Sequence, residues 1–266
     1  MHFEQLLAMA TELGKDNTKV MQFPENWCQG RTAFGGLSAA LLYQAIRQHI
    51  DSSRRLLSLS TNFVGPLLAE TDFTIDVDVL REGKNSAQVL AKVIQGGEVC
   101  VITQACFGAQ RQSGVKVDVT KTMQLTPVNE QFVLPYLEGQ MPAFFQHISL
   151  CLQQGNMPFT NSDTSHLGGR MKFKHIPEQM QEAHIIALAD AWPPTLLQMY
   201  KQPAPASSMS WYIEFVEEPA IAHNGWLGYE AITHHSKDGY GLEDGCIWSE
   251  DGKLIALSRQ TVALFA

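Results

Sequence analysis

Residues 34–50 read FGGLSAALLYQAIRQHI and residues 188–200 read LADAWPPTLLQMY. Whether the second stretch is a partner of the first decides the fold. In the first, Leu37, Leu41, Leu42, Ala45 and Ile46 recur at helical spacing, and Gly35 and Gly36 stand at its start, where small residues let another backbone come close. That predicts a buried helix. In the second, Asp190 precedes an apolar run, and Pro193 and Pro194 read as a preset first turn, so a second helix is expected to begin near Asp190.

Downstream of the first helix lie four β-rich stretches, RLLSLSTNFV, DFTIDVDVL, SAQVLAKVIQ and EVCVITQACFG. Phe73, Ile75, Val77 and Val79 alternate with Thr74, Asp76 and Asp78, and Gly96-Gly97 marks a tight hairpin. Downstream of LADAWPPTLLQMY come SSMSWYIEFV, WLGYEAITHHS, GLEDGCIWS and KLIALSRQTVALF, with Asp251-Gly252 where Gly96-Gly97 stood. The order helix, then four strands, occurs twice. Two copies of one helix-plus-antiparallel-sheet unit explain it, an α+β arrangement. Laying Leu41-Leu42 over Leu196-Leu197 sets Gly35 opposite Asp190, and laying the last strands together sets Ala105 opposite Gln260. The first copy thus carries inert residues where the second carries groups able to do chemistry.

A short helix at Phe3 to Leu13 and a strand around Lys19 to Phe23 precede the first copy. Pro127, Pro135 and Pro142 interrupt an aperiodic stretch, which reads as a surface linker. HISLCLQQ and RMKFKHI look like opening strands of the second copy. The expected organisation is therefore a first unit over 1–115, a linker over 116–145 and a second unit over 146–266.

With 266 residues, 45% of them apolar and 17% charged, the chain can bury a substantial core. A net charge of −8 argues against nucleic acid as a partner, because a phosphate backbone calls for a basic face. No apolar stretch approaches the roughly 20 residues of a membrane span. Five widely spaced cysteines without a C-x-x-C pair favour a reduced, cytoplasmic setting, and the N-terminus, with Glu4 and Glu12, does not resemble a signal peptide.

Asp190 at a helix start would ordinarily be an N-cap. Beside a pocket, the same electropositive helix end would hold a carboxylate ready to act as a general base. Ser208, with Ser207 and Ser210 as rivals, stands where turn-forming serines are common, and no G-x-S-x-G elbow marks a nucleophile. Gln260 lies in an imperfectly alternating strand, facing either solvent or inward, where its amide would orient a water or a carbonyl. His147, His166, His175, His184, His223, His234 and His235 have no metal-ligand spacing, and phosphate-binding glycine motifs are missing, so no metal and no cofactor are expected.

Taken together, FGG before a helix at 34–36, LREGKNSAQVLAKVIQGGEVCVITQACF at 80–107, Asp190, Ser208 seven residues before Phe215, and DGKLIALSRQ ending at Gln260 resemble the double-hotdog acyl-CoA thioesterases, the thioesterase II-like family. The resemblance covers most of the chain. It implies a tandem hotdog in which two antiparallel sheets each wrap a long central helix, with acyl-CoA as substrate and a homo-oligomeric state. It also implies that Asp190, Ser208 and Gln260 position a water for attack on the thioester, that the paired Gly35 and Gly36 offer N–H groups to the carbonyl oxygen, and that Phe34 and Trp192 wall the acyl site. Trp192-Pro193-Pro194 and an insertion at His223-Asn224 depart from the family pattern. Two rival readings are an enoyl-thioester hydratase and a non-catalytic acyl-CoA or lipid-binding protein. The hydratase signature D-x-N-P-x-H has its histidine five residues after the Asp, where this chain has Thr195.

Overall fold

The computed structural model describes residues 1–120, 122–124, 126–216 and 225–265. In chain order it contains α1 (Phe3–Lys15), β1 (Met21–Gln22), β2 (Cys28–Gln29), β3 (Thr32–Ala33), α2 (Gly35–Arg47), β4 (Arg54–Phe63), β5 (Asp72–Glu82), β6 (Ser86–Gln95) and β7 (Glu98–Ala109). It continues with β8 (Ile148–Gln154), β9 (Leu167–Phe173), α3 (Glu182–Ala189), β10 (Ala206–Phe215), β11 (Leu227–Lys237), β12 (Tyr240–Trp248) and β13 (Leu254–Leu264).

The eight strands of the two copies fall where alternation and turn residues place them. Gly96 and Gly97 both adopt positive φ between β6 and β7, and Asp238 and Gly239 do the same between β11 and β12, the backbone that a tight hairpin requires. Gly252, also at positive φ, helps turn β12 into β13. The repeat is thus real at the level of the meander: β4 to β7 in the first half, β10 to β13 in the second.

The two expected sheets, lying side by side, are joined edge to edge into one. β4 and β10 pair antiparallel, from Ser58 with Glu214 to Asn62 with Ser210. This joins both copies into one 11-stranded sheet ordered β1-β5-β6-β7-β4-β10-β13-β12-β11-β9-β8. α2 lies on β5, β6 and β7, α3 contacts β9, and α1 and α3 both pack against α2, so the helices form one layer on one sheet. A single apolar cluster runs beneath them from Leu6 and Phe73 through Leu41 and Ile185 to Tyr229 and Ile247.

The second helix also differs from the expectation. α3 is eight residues long and ends, rather than begins, at Asp190, which is its C-cap. Residues 195–199 form only a 3-10 turn, and Leu196 and Leu197 join a small separate cluster with Leu264. The prolines explain the stop: Pro193 pushes Trp192 out of the helical region, and Pro194 does the same to Pro193. Instead of presetting a first turn, they terminate the helix before them.

The described part of the linker contributes two 3-10 turns, Glu130–Phe132 and Ala143–Gln146, and an isolated bridge from Val133 to Cys151. No disulfide joins any of the five cysteines. Among the described residues no helix is long and apolar enough to cross a membrane. The insertion at His223-Asn224 lies outside the described residues.

Candidate active site

Asp190 is placed by the meeting of two helix ends, the C-terminus of α3 and the N-terminus of α2. A Cβ on Gly36 would stand 2.6 Å from the Ala187 carbonyl oxygen and 2.9 Å from Asp190 Cβ, and one on Gly35 would stand 2.8 Å from Asp190 Oδ2. Only glycine lets the first turn of α2 lie this close on the last turn of α3. The Gly36 N–H then donates to the Asp190 carboxylate. The electropositive helix end inferred for Asp190 exists, but it belongs to α2 and not to the helix that carries the acid.

Gln260 supplies the second hydrogen bond. Its Nε2 donates to Asp190 Oδ1 at 2.7 Å. Of the two faces left open for this glutamine, it takes the inner one, directly across from Trp211 on β10 and Glu243 on β12. Two donors and a helix end favour the charged carboxylate, yet burial outweighs them. Desolvation, with the negative charge of Glu243 adding to it, raises Asp190 from 3.8 to about 7. The helix-end contribution is up to about 2 kcal/mol in a partly buried site, whereas a rise of this size corresponds to about 4 kcal/mol against ionisation. The result is a carboxylate poised to exchange a proton near neutral pH.

Ser208 is set by a bulge between Ser208 and Ser210 in β10. Ser208 pairs with Val262, which shares Gln260's face of β13, whereas Ser207 and Ser210 pair with Ala263 and Thr261 on the other face. Among the three serines, register therefore puts Ser208 on the Asp190–Gln260 side. Its hydroxyl makes no hydrogen bond to either residue. Phe34, at the entry to α2, is fully buried and stacked on Phe144 at 4.0 Å, so it backs the site as packing. Trp192 lies two residues past Asp190, stacked on Tyr229 at 5.6 Å, with its ring in the space that Gly169 leaves free.

A second acid was missed. Glu243, 6% exposed, accepts the Thr195 N–H at 2.7 Å through Oε2, and the Thr195 and Tyr229 hydroxyls also donate to it. Burial nevertheless pushes its carboxyl above the usual range, and the Tyr229 phenol is likewise pushed well up. A signal for Glu243 existed in the repeat. Setting Ala105 against Gln260 also sets their register partners, Val89 and Glu243, against each other.

A surface cleft of ≈ 620 Å³, lined by Glu25, Asn26, Arg31, Tyr136 and Glu138 among others, opens beside the β2–β3 hairpin, and neither Asp190 nor Gln260 lines it. Among the described residues no group of three or more His, Cys, Asp or Glu side chains could hold a metal ion. What the site offers is a near-neutral base, an amide and a helix N-terminus around one carboxylate, chemistry suited to activating water.

Two family models match, the acyl-CoA thioesterase N-terminal domain over residues 23–108 and the acyl-CoA thioesterase C-terminal domain over residues 124–264. The chain belongs to the acyl-CoA thioesterase family. It is a thioester hydrolase, and the two matches coincide with the two copies of the meander. The fold of this thioesterase is also that of solved structures. A hot dog fold protein from Alicyclobacillus acidocaldarius is 23% identical with TM-score 0.80, over 95% of this chain and 98% of that one. An acyl-CoA thioesterase II from Mycobacterium marinum is 15% identical with TM-score 0.68, over 95% and 97%. The tesB protein of Mycobacterium avium subspecies paratuberculosis is 14% identical with TM-score 0.77, over 98% and 99%. No curated protein sequence matches the thioesterase.

Proposed function

We propose that this thioesterase hydrolyses fatty acyl-CoA to a free acid and CoA by direct attack of a water that Asp190 deprotonates. The observation that carries the reading is the Asp190–Gln260 pair, a carboxylate raised to about 7 and held by an amide at 2.7 Å. In the reaction Asp190 accepts a proton from water as the oxygen attacks the thioester carbon, and collapse of the tetrahedral adduct then breaks the C–S bond and releases CoA thiolate, which takes the proton back from Asp190. Gln260 and Ser208, on one face of β13 and β10, orient that water. A thioester is already activated, so a positioned nucleophile and donors for the developing oxyanion suffice. The Gly36 N–H is committed to Asp190, which leaves the Gly35 N–H, the first of α2 and without an intrahelical acceptor, to meet the oxyanion. This narrows the expected glycine pair to one donor.

The test is free-thiol release from acyl-CoAs of short to long chain, comparing wild type with Asp190→Asn. The expected result is turnover by wild type and a loss of about 10²- to 10⁴-fold in the variant, the usual contribution of a general base. A variant within about threefold of wild type on every substrate removes Asp190 from the mechanism.

A further inference from the structure

Glu243 is a costly residue to keep where it is. Isolated carboxylates are rarely buried this deeply, and a structural acid would serve the same backbone donor from a more exposed strand position. It stands directly across from Gln260 in the β12–β13 register. Its three donors come from two elements that frame the site: Thr195, at the end of the Ala191–Pro194 turn that follows Asp190, and Tyr229 on β11. Thr195 is pinned again by its hydroxyl, 2.7 Å from that of Thr233, and is fully buried. The carboxylate therefore clamps the turn leaving Asp190 onto the strand behind Gln260.

We infer that Glu243 is a positioning residue for the hydrolytic site, holding the turn after Asp190 through Thr195 and presenting a second buried negative charge to the Asp190 carboxylate. The inference rests on the thioesterase reading of Asp190. The pattern around the two acids supports it. Toward Asp190 the titratable neighbours are Glu243 from β12 and Tyr229 from β11, while α2 contributes a backbone N–H and β13 an amide. Toward Glu243 they are Tyr229 and its strand neighbour Asp244. Among the described residues, no cationic side chain acts on either acid. Like charges in one buried site disfavour joint ionisation, so the Glu243 carboxylate makes Asp190 a stronger base.

Glu243→Gln keeps the shape and an oxygen for the Thr195 N–H while removing the charge. With that charge gone, Asp190 ionises more readily, and the acidic limb of the kcat/KM profile moves to lower pH by about half a unit or more. Loosening of the turn is expected to lower kcat at the plateau as well. A purely structural acid would lower activity or melting temperature without moving the limb. A limb within about 0.2 units of wild type overturns the inference. A ¹³C titration of the Asp190 carboxyl in both proteins reads the same shift without turnover, so an inactive wild type would sink the hydrolase reading and leave the Glu243–Asp190 coupling still measured. Should the Gln variant not fold, Tyr229→Phe removes one donor from Glu243, makes that acid easier to protonate, and is expected to move Asp190 the same way by a smaller amount. An unmoved Asp190 titration in that variant then refutes the coupling.

Discussion

Asp190→Asn should cost activity and yet stabilise the protein at alkaline pH, and the size of that effect follows from the buried carboxyl. The acid binds its proton with a value of 3.8 when unfolded and about 7 when folded. A carboxyl raised on folding contributes stability that is complete below about pH 4 and is lost as pH rises through about 7. Integrating between the two values, the wild type has lost about 2 kcal/mol at pH 5 and about 4 kcal/mol at pH 8 relative to a group that never ionises. Asparagine loses neither.

Its own cost is geometric. An Asn side chain has a single oxygen, so one of the two donors, Gln260 Nε2 or the Gly36 N–H, then faces its NH₂. One unsatisfied buried donor costs about 1–3 kcal/mol, and it costs the same at both pH values. The variant should therefore lie within about 1–2 kcal/mol of wild type, on either side, at pH 5 and be more stable than wild type at pH 8. The stability difference between them changes by about 2–3 kcal/mol across that range. Urea unfolding of both proteins at the two pH values, extrapolated with a common slope, measures the change directly. A difference that stays constant within about 1 kcal/mol would mean that burial does not hold Asp190 near neutrality, and the case for a poised base would fall with it.

Two further outcomes test the geometry. Gly36→Ala should lower stability by about 2 kcal/mol or more and lower kcat with it, because its methyl meets backbone, the Ala187 carbonyl at 2.6 Å, as well as Asp190 Cβ. A variant as stable and active as wild type would show that the two helix ends do not meet as described. Ser208→Ala should reduce kcat/KM about 10- to 100-fold, while Ser207→Ala and Ser210→Ala stay within about twofold. An equal loss at Ser210 would place the β10 bulge elsewhere.

The strands were legible in the sequence because their signals are local. Alternation at Phe73 to Val79 and left-handed turn residues such as Gly96-Gly97 act within ten residues of the hydrogen bonds they fix. The second helix was not, for a physical reason. α3 is buried from Ala183 to Ala189, so no polar face gives it a 3.6-residue period, whereas the prolines after Asp190 supplied a helix-start signal that the chain uses as a stop. The pairing of β4 with β10 was not legible, because it joins strands from opposite halves of the chain that no local pattern links. Ser58, Ser60 and Asn62 on one, and Ser210 and Tyr212 on the other, bring no proline and no lysine to keep two edges apart, and the edges pair.

The site shows the same division between local and tertiary information. Gln260 and Asp190 were found by comparing the two copies, a comparison that needs only sequence, while the helix end that faces Asp190 comes from the other copy and is purely a tertiary contact. Glu243 marks where pattern reading inverts. In GLEDGCIW the apolar Leu242 is 48% exposed and the charged Glu243 is buried, the reverse of what burial energetics favour. Register cannot slip by one to repair this, because the slip would also turn Gly241, Gly245 and Ile247 away from the core side they share with Glu243. A strand that keeps its register while burying an acid and exposing a leucine is bearing a cost that folding alone does not explain, and the acid it buries is the one beside Gln260.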